Sequence, residues 1–424
     1  MTEETELVRL SDLIDIKHGY GFKGEFFSDE ATRHILLTPG NFRIGGGFLE
    51  DKKKYYDGPV NEEFVLKPND LIITMTDLSK NGDTLGFPAI VPFSKNNELF
   101  LHNQRLGKVI IKNNEKILKR YLYYLLTTKK YQQSIVSGAT GTTVKHTSPS
   151  RILEFEFLLP TLKTQQKIAD ILGSLDDKIE LNRQMNQTLE AMAHAIFKSW
   201  FVDFDPVYAK MEGRDYPLPP EIMDLFPDEL EESELGLIPK GWRVCTVSEE
   251  FRITMGQSPP GSSYNEEGIG IPFFQGRRDF GFRFPTERVY CTDPKRFAEK
   301  NDTLVSVRAP VGDINMAMDE CCIGRGVAAI RHNSGSTSYT YYSMQRLKDV
   351  FNKFEAEGTV FGSISKDNFE NISYIQPNLN VICAFENISK YLDLKIANNL
   401  SQSIVLAKMR DHLISVMLKG GIYV

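Results

Sequence analysis

LPTLKTQQKIADILGSLDDKIELNRQMNQTLEAMAHAIFKSWFVDFDPV, residues 159–207, holds the pattern on which the fold turns. No proline interrupts the chain from Thr164 to Trp200. Within it Ile168, Leu172, Leu175, Ile179, Asn182, Asn186, Leu189, Ala193, Ile196 and Trp200 recur at alternating spacings of four and three. That spacing puts every one of them on a single helical stripe, the heptad seam of a coiled coil, over about five heptads. Such a helix runs about 54 Å at its fixed rise per residue.

The pattern is written twice. From Gly141-Thr142 and Gly358-Thr359 onward the copies stay 217 residues apart without a gap. Pro160 falls on Pro377, Asp176 on Asp393, Lys178-Ile179 on Lys395-Ile396, Asn182 on Asn399, Leu189 on Leu406 and Met192 on Met409. The second seam is weaker: Phe385, Ser389, Leu392, Ile396, Asn399, Ser403, Leu406, Arg410, Leu413 and Met417. Asn182 and Asn399 take equivalent places, and a buried seam Asn sets register at a cost in stability. The alternative is that both face solvent.

Upstream the copies align with drifting offsets. Gly19 matches Gly256 at 237, Gly40 matches Gly276 at 236, Asn69-Asp70 matches Asn301-Asp302 at 232, and Arg105 matches Arg325 at 220. In the first copy Ile35-Leu36-Leu37, Leu71-Ile72-Ile73 and Val109-Ile110-Ile111 read as strands, and Arg120 to Gln133 as a helix. In the second, Leu304 to Val307 reads as a strand and Tyr339 to Phe354 as a helix. Each copy is thus a mixed α/β module followed by a long helix. The ends are kept while the middles diverge, as expected of two modules that meet different things on one frame.

Composition is that of an ordinary soluble protein, with 41% hydrophobic and 25% charged residues. No apolar run approaches a membrane span and no basic-then-apolar leader opens the chain, so the expectation is no membrane and a cytoplasmic location. Five cysteines form no C-x-x-C pair, which argues against a zinc site or a disulfide scaffold. Cys321-Cys322 reads as buried packing. The net charge of −6 is concentrated: residues 203–235 hold 11 acidic side chains against Lys210 and Arg214. Residues 1–161 carry 21 basic and 20 acidic groups, and residues 241–378 carry 16 and 17. No bulk field draws either module onto a polyanion, so nucleic-acid binding would rest on local clusters and partners.

Motifs for catalysis are missing. There is no G-x-x-x-x-G-K-[ST], no G-x-G-x-x-G after a strand, no H-E-x-x-H and no G-x-S-x-G. Neither N-P-P-[YF] nor D-P-P-[YF] occurs, so the usual pocket of an amino-methylating enzyme is lacking. The expectation is a chain with no catalytic, metal or cofactor residues of its own.

The block 159–207, followed by LFPDELEESELGLIPKGW (225–242), resembles the specificity subunit of type I restriction–modification systems. The resemblance is carried by Ile168-Ala169, Leu172, Leu175-Asp176, Lys178-Ile179, Ser199 to Pro206 and Pro239-Lys240-Gly241-Trp242. It departs at Gln165-Gln166, where the family often has Glu-Gln, and at Ile382-Cys383 in the second copy. The resemblance implies an α+β fold: two similar mixed α/β target-recognition domains separated by two long antiparallel coiled-coil helices, an internal pseudo-two-fold repeat. The domains would be 1–160 (first recognition domain), 161–201 (central helical spacer), 202–240 (aromatic and acidic linker), 241–378 (second recognition domain) and 379–424 (second spacer). It further implies double-stranded DNA, two methyltransferase subunits and restriction/translocase subunits as partners. S-adenosylmethionine, ATP and Mg would belong to those partners, and this chain would be non-catalytic. The competing reading is a helical adaptor protein that reads no DNA.

Base readout needs Arg or Lys for guanine and Asn or Gln for adenine. The loop candidates in the first module are Lys23, Asn41, Arg43, Ser79-Lys80-Asn81 and His102-Asn103-Gln104-Arg105. Those in the second are Gln257, Gln275, Arg277, Arg278, Arg283, Arg308 and Arg325. Gly40-Asn41-Phe42-Arg43 lines up with Gly276-Arg277-Arg278 as a pair of tight turns. The alternative for any one of these is a surface ion pair or a solvated loop charge. Lys52-Lys53-Lys54 reads as a phosphate-side or solvated cluster. The expected helix seam is Ile168, Leu172, Leu175, Ile179, Asn182, Leu189 and Ile196 against Leu392, Ile396, Asn399, Leu406 and Leu413. Trp200, Phe201 and Phe204 are open between an internal cap on the helix end and a docking surface for a methyltransferase.

Overall fold

The computed structural model describes residues 5–50, 52–77, 79, 82–94, 96–141, 144–357 and 362–418, with the side chains of 355–357 excepted. The chain divides into two units. One comprises residues 1–180 with 403–424, the other residues 181–402.

In the first unit a four-stranded antiparallel sheet runs Ile14–His18, Leu106–Ile111, Leu71–Thr74, Pro88–Ile90. A five-stranded sheet runs Phe27–Ser28, Tyr55–Tyr56, His34–Leu36, Leu99–Leu101, Val65–Leu66. Its one parallel pair joins His34–Leu36 to Leu99–Leu101. Alternation along the central strand shows how the unit is filled, since successive side chains point to opposite faces. Leu71 and Ile73 enter a core with Ile14, Ile16 and Leu122, whereas Ile72 enters another with Ile35, Leu37 and Leu106. Both faces of the strand are covered, so its sequence reads as a continuous apolar run.

The second unit repeats this order strand for strand. Its sheets run Phe251–Met255, Val327–His332, Thr303–Ser306, Ile314–Met316 and Tyr264–Asn265, Tyr290–Cys291, Ile271–Phe274, Cys321–Ile323, Phe297–Ala298. Again one pair is parallel, here Ile271–Phe274 with Cys321–Ile323. Asn69 and Asn301 both adopt positive φ (70° and 67°) just before the equivalent strands, as the 232 offset requires.

Strand register corrects two of the expected equivalences. Ile35 pairs with Phe100, and Phe273 with Cys322, which sets the offset of the first of these strands at 238. Gly40 therefore falls on Arg278, not Gly276, and the two arginine-bearing turns are displaced by two residues. Leu99 to Cys321 is 222 positions and Leu106 to Val327 is 221, so the intervening turn is one residue shorter in the second unit. Arg325 lies between the places of Asn103 and Gln104 rather than opposite Arg105. Glycine and arginine identities had pulled the alignment; backbone pairing decides it.

The helix expected over Arg120–Gln133 is two, Lys119–Leu125 and Lys129–Ser137. The Thr128 hydroxyl donates to the Leu125 carbonyl (2.7 Å) and accepts from Tyr131 N (3.4 Å), stopping one helix and capping the next. The helix expected over Tyr339–Phe354 is likewise divided, into Thr337–Arg346 and Lys348–Glu357. Residues 202–240 are folded: helices Asp205–Met211 and Pro220–Met223 precede a hairpin of Leu230–Ser233 with Gly236–Pro239.

The two long helices are Leu162–Phe201 and Leu379–Met417. Thr161 and Asn378 open them, the Thr161 hydroxyl accepting from Thr164 N (3.4 Å) and the Asn378 carboxamide from Asn380 N (2.9 Å). Within each unit they run antiparallel. In the first, Ile168 and Leu172 share a core with Leu413 and Met417, while Asp176 meets Arg410 (2.7 Å). In the second, Asn182 donates to the Gln402 side chain (2.8 Å), Asn399 donates to Asn186 (2.9 Å), and Phe197 and Trp200 pack on Phe385. Asn182, Asn186 and Asn399 are buried, so the solvent-facing alternative is excluded. Of the other expected seam residues Ile396 is buried, whereas Leu175, Ile179, Leu189, Leu392, Leu406 and Leu413 are half-buried. Toward Trp200 the stripe drifts by one residue: Phe197 is buried and Ile196 only half-buried. An α-helix turns slightly less per residue than a seven-residue repeat requires, so its stripe moves to later residues, and here it packs on module side chains as well as on its partner helix.

Asn399→Ala removes the donor to the buried Asn186 oxygen. Leaving a buried polar atom unsatisfied costs about 1–3 kcal/mol, and urea unfolding followed by circular dichroism should show a loss of that size. An exposed control, Gln187→Ala, should change stability by less than about 0.5 kcal/mol.

Candidate nucleic-acid interface

One edge of each unit is built by the same row of backbone hydrogen bonds. In the first unit Tyr20 N donates to His102 O (2.8 Å), Met75 N to Arg105 O (2.8 Å) and Thr147 N to Met75 O (3.0 Å). Thr76 pairs in register with His146. In the second, Gln257 N donates to Ile323 O (3.0 Å), Val307 N to Gly326 O (2.9 Å) and Ile364 N to Val307 O (3.1 Å). Arg308 pairs with Ser363, the same positions as Thr76 and His146. Glycine is required where the first two loops touch. A Cβ at Gly19 would lie 2.1 Å from the Asn103 carbonyl oxygen, and one at Gly256 2.1 Å from that of Gly324. The two glycines, matched across the repeat in the sequence, let two loops lie side by side at the rim.

On this shared backbone the side chains differ. The first unit exposes Tyr20, Gln104, Arg105 and His146, with Lys145 half-buried; the second exposes Gln257, Arg308, Arg325 and Ser363. Tyr20, Lys145 and His146 were not among the residues singled out from sequence. The signal for the last two was available, because they directly follow the Gly141 anchor of the repeat. Beside them Asp77 is buried and organises the adjoining loop. It accepts hydrogen bonds from Ser79 N (2.7 Å), the Thr84 hydroxyl (2.8 Å) and Thr84 N. Burial works to raise its pKa, but these donors outweigh it and hold the carboxyl below its ordinary value.

The other expected residues divide sharply. Lys23 and Arg43 are exposed, Lys23 lying 3.6 Å from Glu25. Gln275 and Arg278 are exposed, and Arg277 is exposed but ion-paired with Asp313. Lys80 and Asn81 lie outside the described residues. Four expected contacts are structural instead. Asn41 is buried, donating to Leu49 O (3.2 Å) and Lys52 O (2.7 Å), so it holds its own loop together. His102 and Asn103 are buried, Asn103 accepting from Arg105 N (2.9 Å) to shape the turn that presents Gln104 and Arg105. Arg283 is only 1% exposed and is ion-paired to Glu190 and Asp393. Sequence alone cannot separate a loop arginine that faces solvent from one that turns inward. In the lysine run, Lys53 pairs with Glu98 (2.5 Å) and Lys54 sits 3.6 Å from the Phe27 ring centre.

Trp200, Phe201 and Phe204 are buried among Phe226, Trp242, Tyr339 and Phe385 of the second unit. Of their two readings, the internal cap is the one the structure bears out. All five cysteines are free, and burial pushes the Cys321 thiol up to about 12, consistent with packing. Among the described residues no group of three or more His, Cys, Asp or Glu is placed to hold a metal, and no helix is long and apolar enough to cross a membrane.

Comparison with known proteins places this architecture. Residues 2–191 match the family model of the type I restriction modification DNA specificity domain. A Methanocaldococcus jannaschii protein designated the MjaX specificity subunit is 31% identical over 333 residues, covering 77% of this chain and 73% of the relative. The HindI specificity subunit of Haemophilus influenzae is 28% identical over 373 residues, covering 74% and 80%. The solved S subunit from M. genitalium superposes with a TM-score of 0.56 over 99% of this chain and 98% of that one, at 15% identity, which shows a shared fold. The chain belongs to the specificity subunits of type I restriction–modification systems. The adaptor reading is not favoured.

The buried His102 supplies a test of the rim. Its Nε2 lies 2.9 Å from the Leu106 carbonyl, to which a neutral ring donates. Burial lowers its pKa from 6.5 to about 4, against the opposing effect of that hydrogen bond. The unfolded chain therefore binds the proton more readily than the folded one. The stability is complete above about pH 6.5 and is lost as pH falls toward 4, by about 3 kcal/mol in all. His102→Gln, which keeps a donor but does not titrate, should show a correspondingly shallower acid destabilisation in urea unfolding between pH 7 and 4.5.

Proposed function

We propose that this chain reads a bipartite, asymmetric site in double-stranded DNA, one half with each unit, and carries two adenine methyltransferase subunits to it. The observation that supports this most directly is the repeated rim: one backbone scaffold presenting Tyr20, Gln104, Arg105 and His146 in one unit and Gln257, Arg308, Arg325 and Ser363 in the other. A common scaffold with different donors and acceptors is what two different half-sites call for. The chain itself is non-catalytic. S-adenosylmethionine, ATP and Mg belong to methyltransferase and restriction/translocase partners in the cytoplasm, and the assembly is joined through the long helices. Met192 and Met409 stand at equivalent positions of the repeat and are 48% and 49% exposed, matched apolar points on which two copies of one partner can seat alike.

If the two rims read separate halves, single arginine variants should weaken them separately. In the assembled methyltransferase, Arg105→Ala should relax base preference in one half and Arg325→Ala in the other, each by about 1–3 kcal/mol per lost base contact. Sequencing of methylated plasmid libraries reads both halves at once. Loss of preference in both halves from either variant would refute independent readout.

The long helices would then act as the spacer. Inserting four residues beside Asn182, with a matching insertion beside Asn399 to keep the helices in register, adds about 6 Å of helix. Methylation mapping should show the unspecified gap lengthened by one or two base pairs with both halves unchanged. An unchanged gap in a folded, active complex would show that the helices do not set it.

A further inference from the structure

Arg283, expected from sequence to face DNA, sits at the junction of three elements of the second unit. One guanidinium nitrogen donates to Asp393 (2.8 Å) on the second long helix. The other donates to Glu190 on the first long helix and to the Tyr342 hydroxyl (2.9 Å). The guanidinium lies 3.9 Å from the Tyr341 ring centre. The Arg283 backbone is fixed too, its carbonyl accepting from Met316 N (2.9 Å). The surrounding loop is cross-braced by Thr286 N to Asp279 O (2.7 Å) and Arg288 to Asp279 (3.1 Å). On that loop Arg277, Arg278 and Phe282 are exposed.

The first unit satisfies the equivalent carboxylate differently. Asp176, the repeat partner of Asp393, takes Arg410 from the other long helix (2.7 Å) and the Tyr124 hydroxyl (2.7 Å). Tyr123-Tyr124 and Tyr341-Tyr342 are matching edge-to-face pairs. The position equivalent to Arg410 in the first long helix is Ala193, 217 residues earlier. One unit neutralises its seam carboxylate from within the helical frame. The other does so with an arginine sent in from the recognition module, and a buried forked guanidinium fixes orientation as well as charge.

We propose that Arg283 is a positioning residue for DNA readout: it clamps the loop bearing Arg277 and Arg278 to both long helices and so sets the angle at which the second unit meets its half-site. This rests on the reading that each unit recognises one half. The repeat itself supplies the control. Arg283→Ala with Ala193→Arg moves the arginine to the place that Arg410 holds in the other unit, restoring charge at Asp393 without the tie to the loop.

The test uses the full chain assembled with its methyltransferase, methylation mapped on plasmid libraries, and thermal unfolding in parallel. Wild type must first methylate a two-part site; if it does not, the parent reading fails, and the clamp with it. Given that, the double variant should recover much of the thermal stability lost in Arg283→Ala. Base discrimination in the second half should nonetheless stay relaxed by roughly tenfold or more, as for a loosely supported site, with the first half unchanged. Arg283→Lys, which keeps the charge but not the fork, should retain stability and give an intermediate relaxation, and it carries the test if the double variant does not fold. The clamp is overturned if the double variant recovers discrimination along with stability. It is also overturned if both halves relax together, or if a folded Arg283→Lys discriminates as wild type does.

Discussion

The buried amide contacts of Asn182, Asn186 and Asn399 are the constraint on which the helical frame depends. An apolar seam tolerates sliding, because one leucine replaces another at little cost. A buried carboxamide does not, since a shift of one turn leaves its donors against hydrocarbon. Asn399 donating to Asn186 (2.9 Å) and Asn182 to Gln402 (2.8 Å) admit one register of the two helices in the second unit. In the first unit Asp176 and Arg410 do the same work with an ion pair. The seam is therefore less apolar than an optimal coiled coil, and that is how it selects one alignment.

Each module is tied to its helices by polar groups that differ between the copies. In the first, Gln165 is buried, donating to Lys116 O (2.8 Å) and Pro160 O (2.9 Å) while accepting from Leu118 N (2.9 Å). Its counterpart Ile382 is buried in hydrophobic core, and the polar tie there is Glu386, which accepts from Tyr339 N (3.1 Å) at the start of a helix. A carboxylate at a helix N-terminus meets unpaired amides and the positive end of the dipole. The same join is made by two chemistries, so the departures from the family pattern at these positions leave the architecture intact.

The charge balance of the second module conceals how its arginines are used. The module holds eleven arginines to five lysines. Several are committed elsewhere: Arg283 to Glu190 and Asp393, Arg331 to Asp302 (2.7 Å) and Glu299 (2.6 Å), and Arg288 to Asp279 and Glu266. Arginine's fixed fork suits such interior and loop-bracing pairs better than lysine's mobile ammonium does. Counting cations therefore overstates the field available to DNA. The exposed arginines at the rim, Arg308 and Arg325, are a small part of the total.

By itself the sequence determined whatever depends on periodicity and repetition. The seam spacing, the 217-residue repeat and the matched Asn69 and Asn301 are local signals, and local stereochemistry constrains them. The resemblance of residues 159–207 and 225–242 to the specificity-subunit family was legible there as well. Only the tertiary structure decided which way long polar side chains turn. Arg283 and Arg278 stand five residues apart in one loop, yet one is buried and the other exposed. Asn41 and Asn103 brace their own turns, whereas Gln104 and Arg105 reach solvent. The true register of the two arginine-bearing turns and the inward packing of Trp200, Phe201 and Phe204 were likewise settled by contacts between distant segments. A side chain's direction follows from what the rest of the chain brings to within hydrogen-bonding reach, and no pattern of spacing encodes that distance.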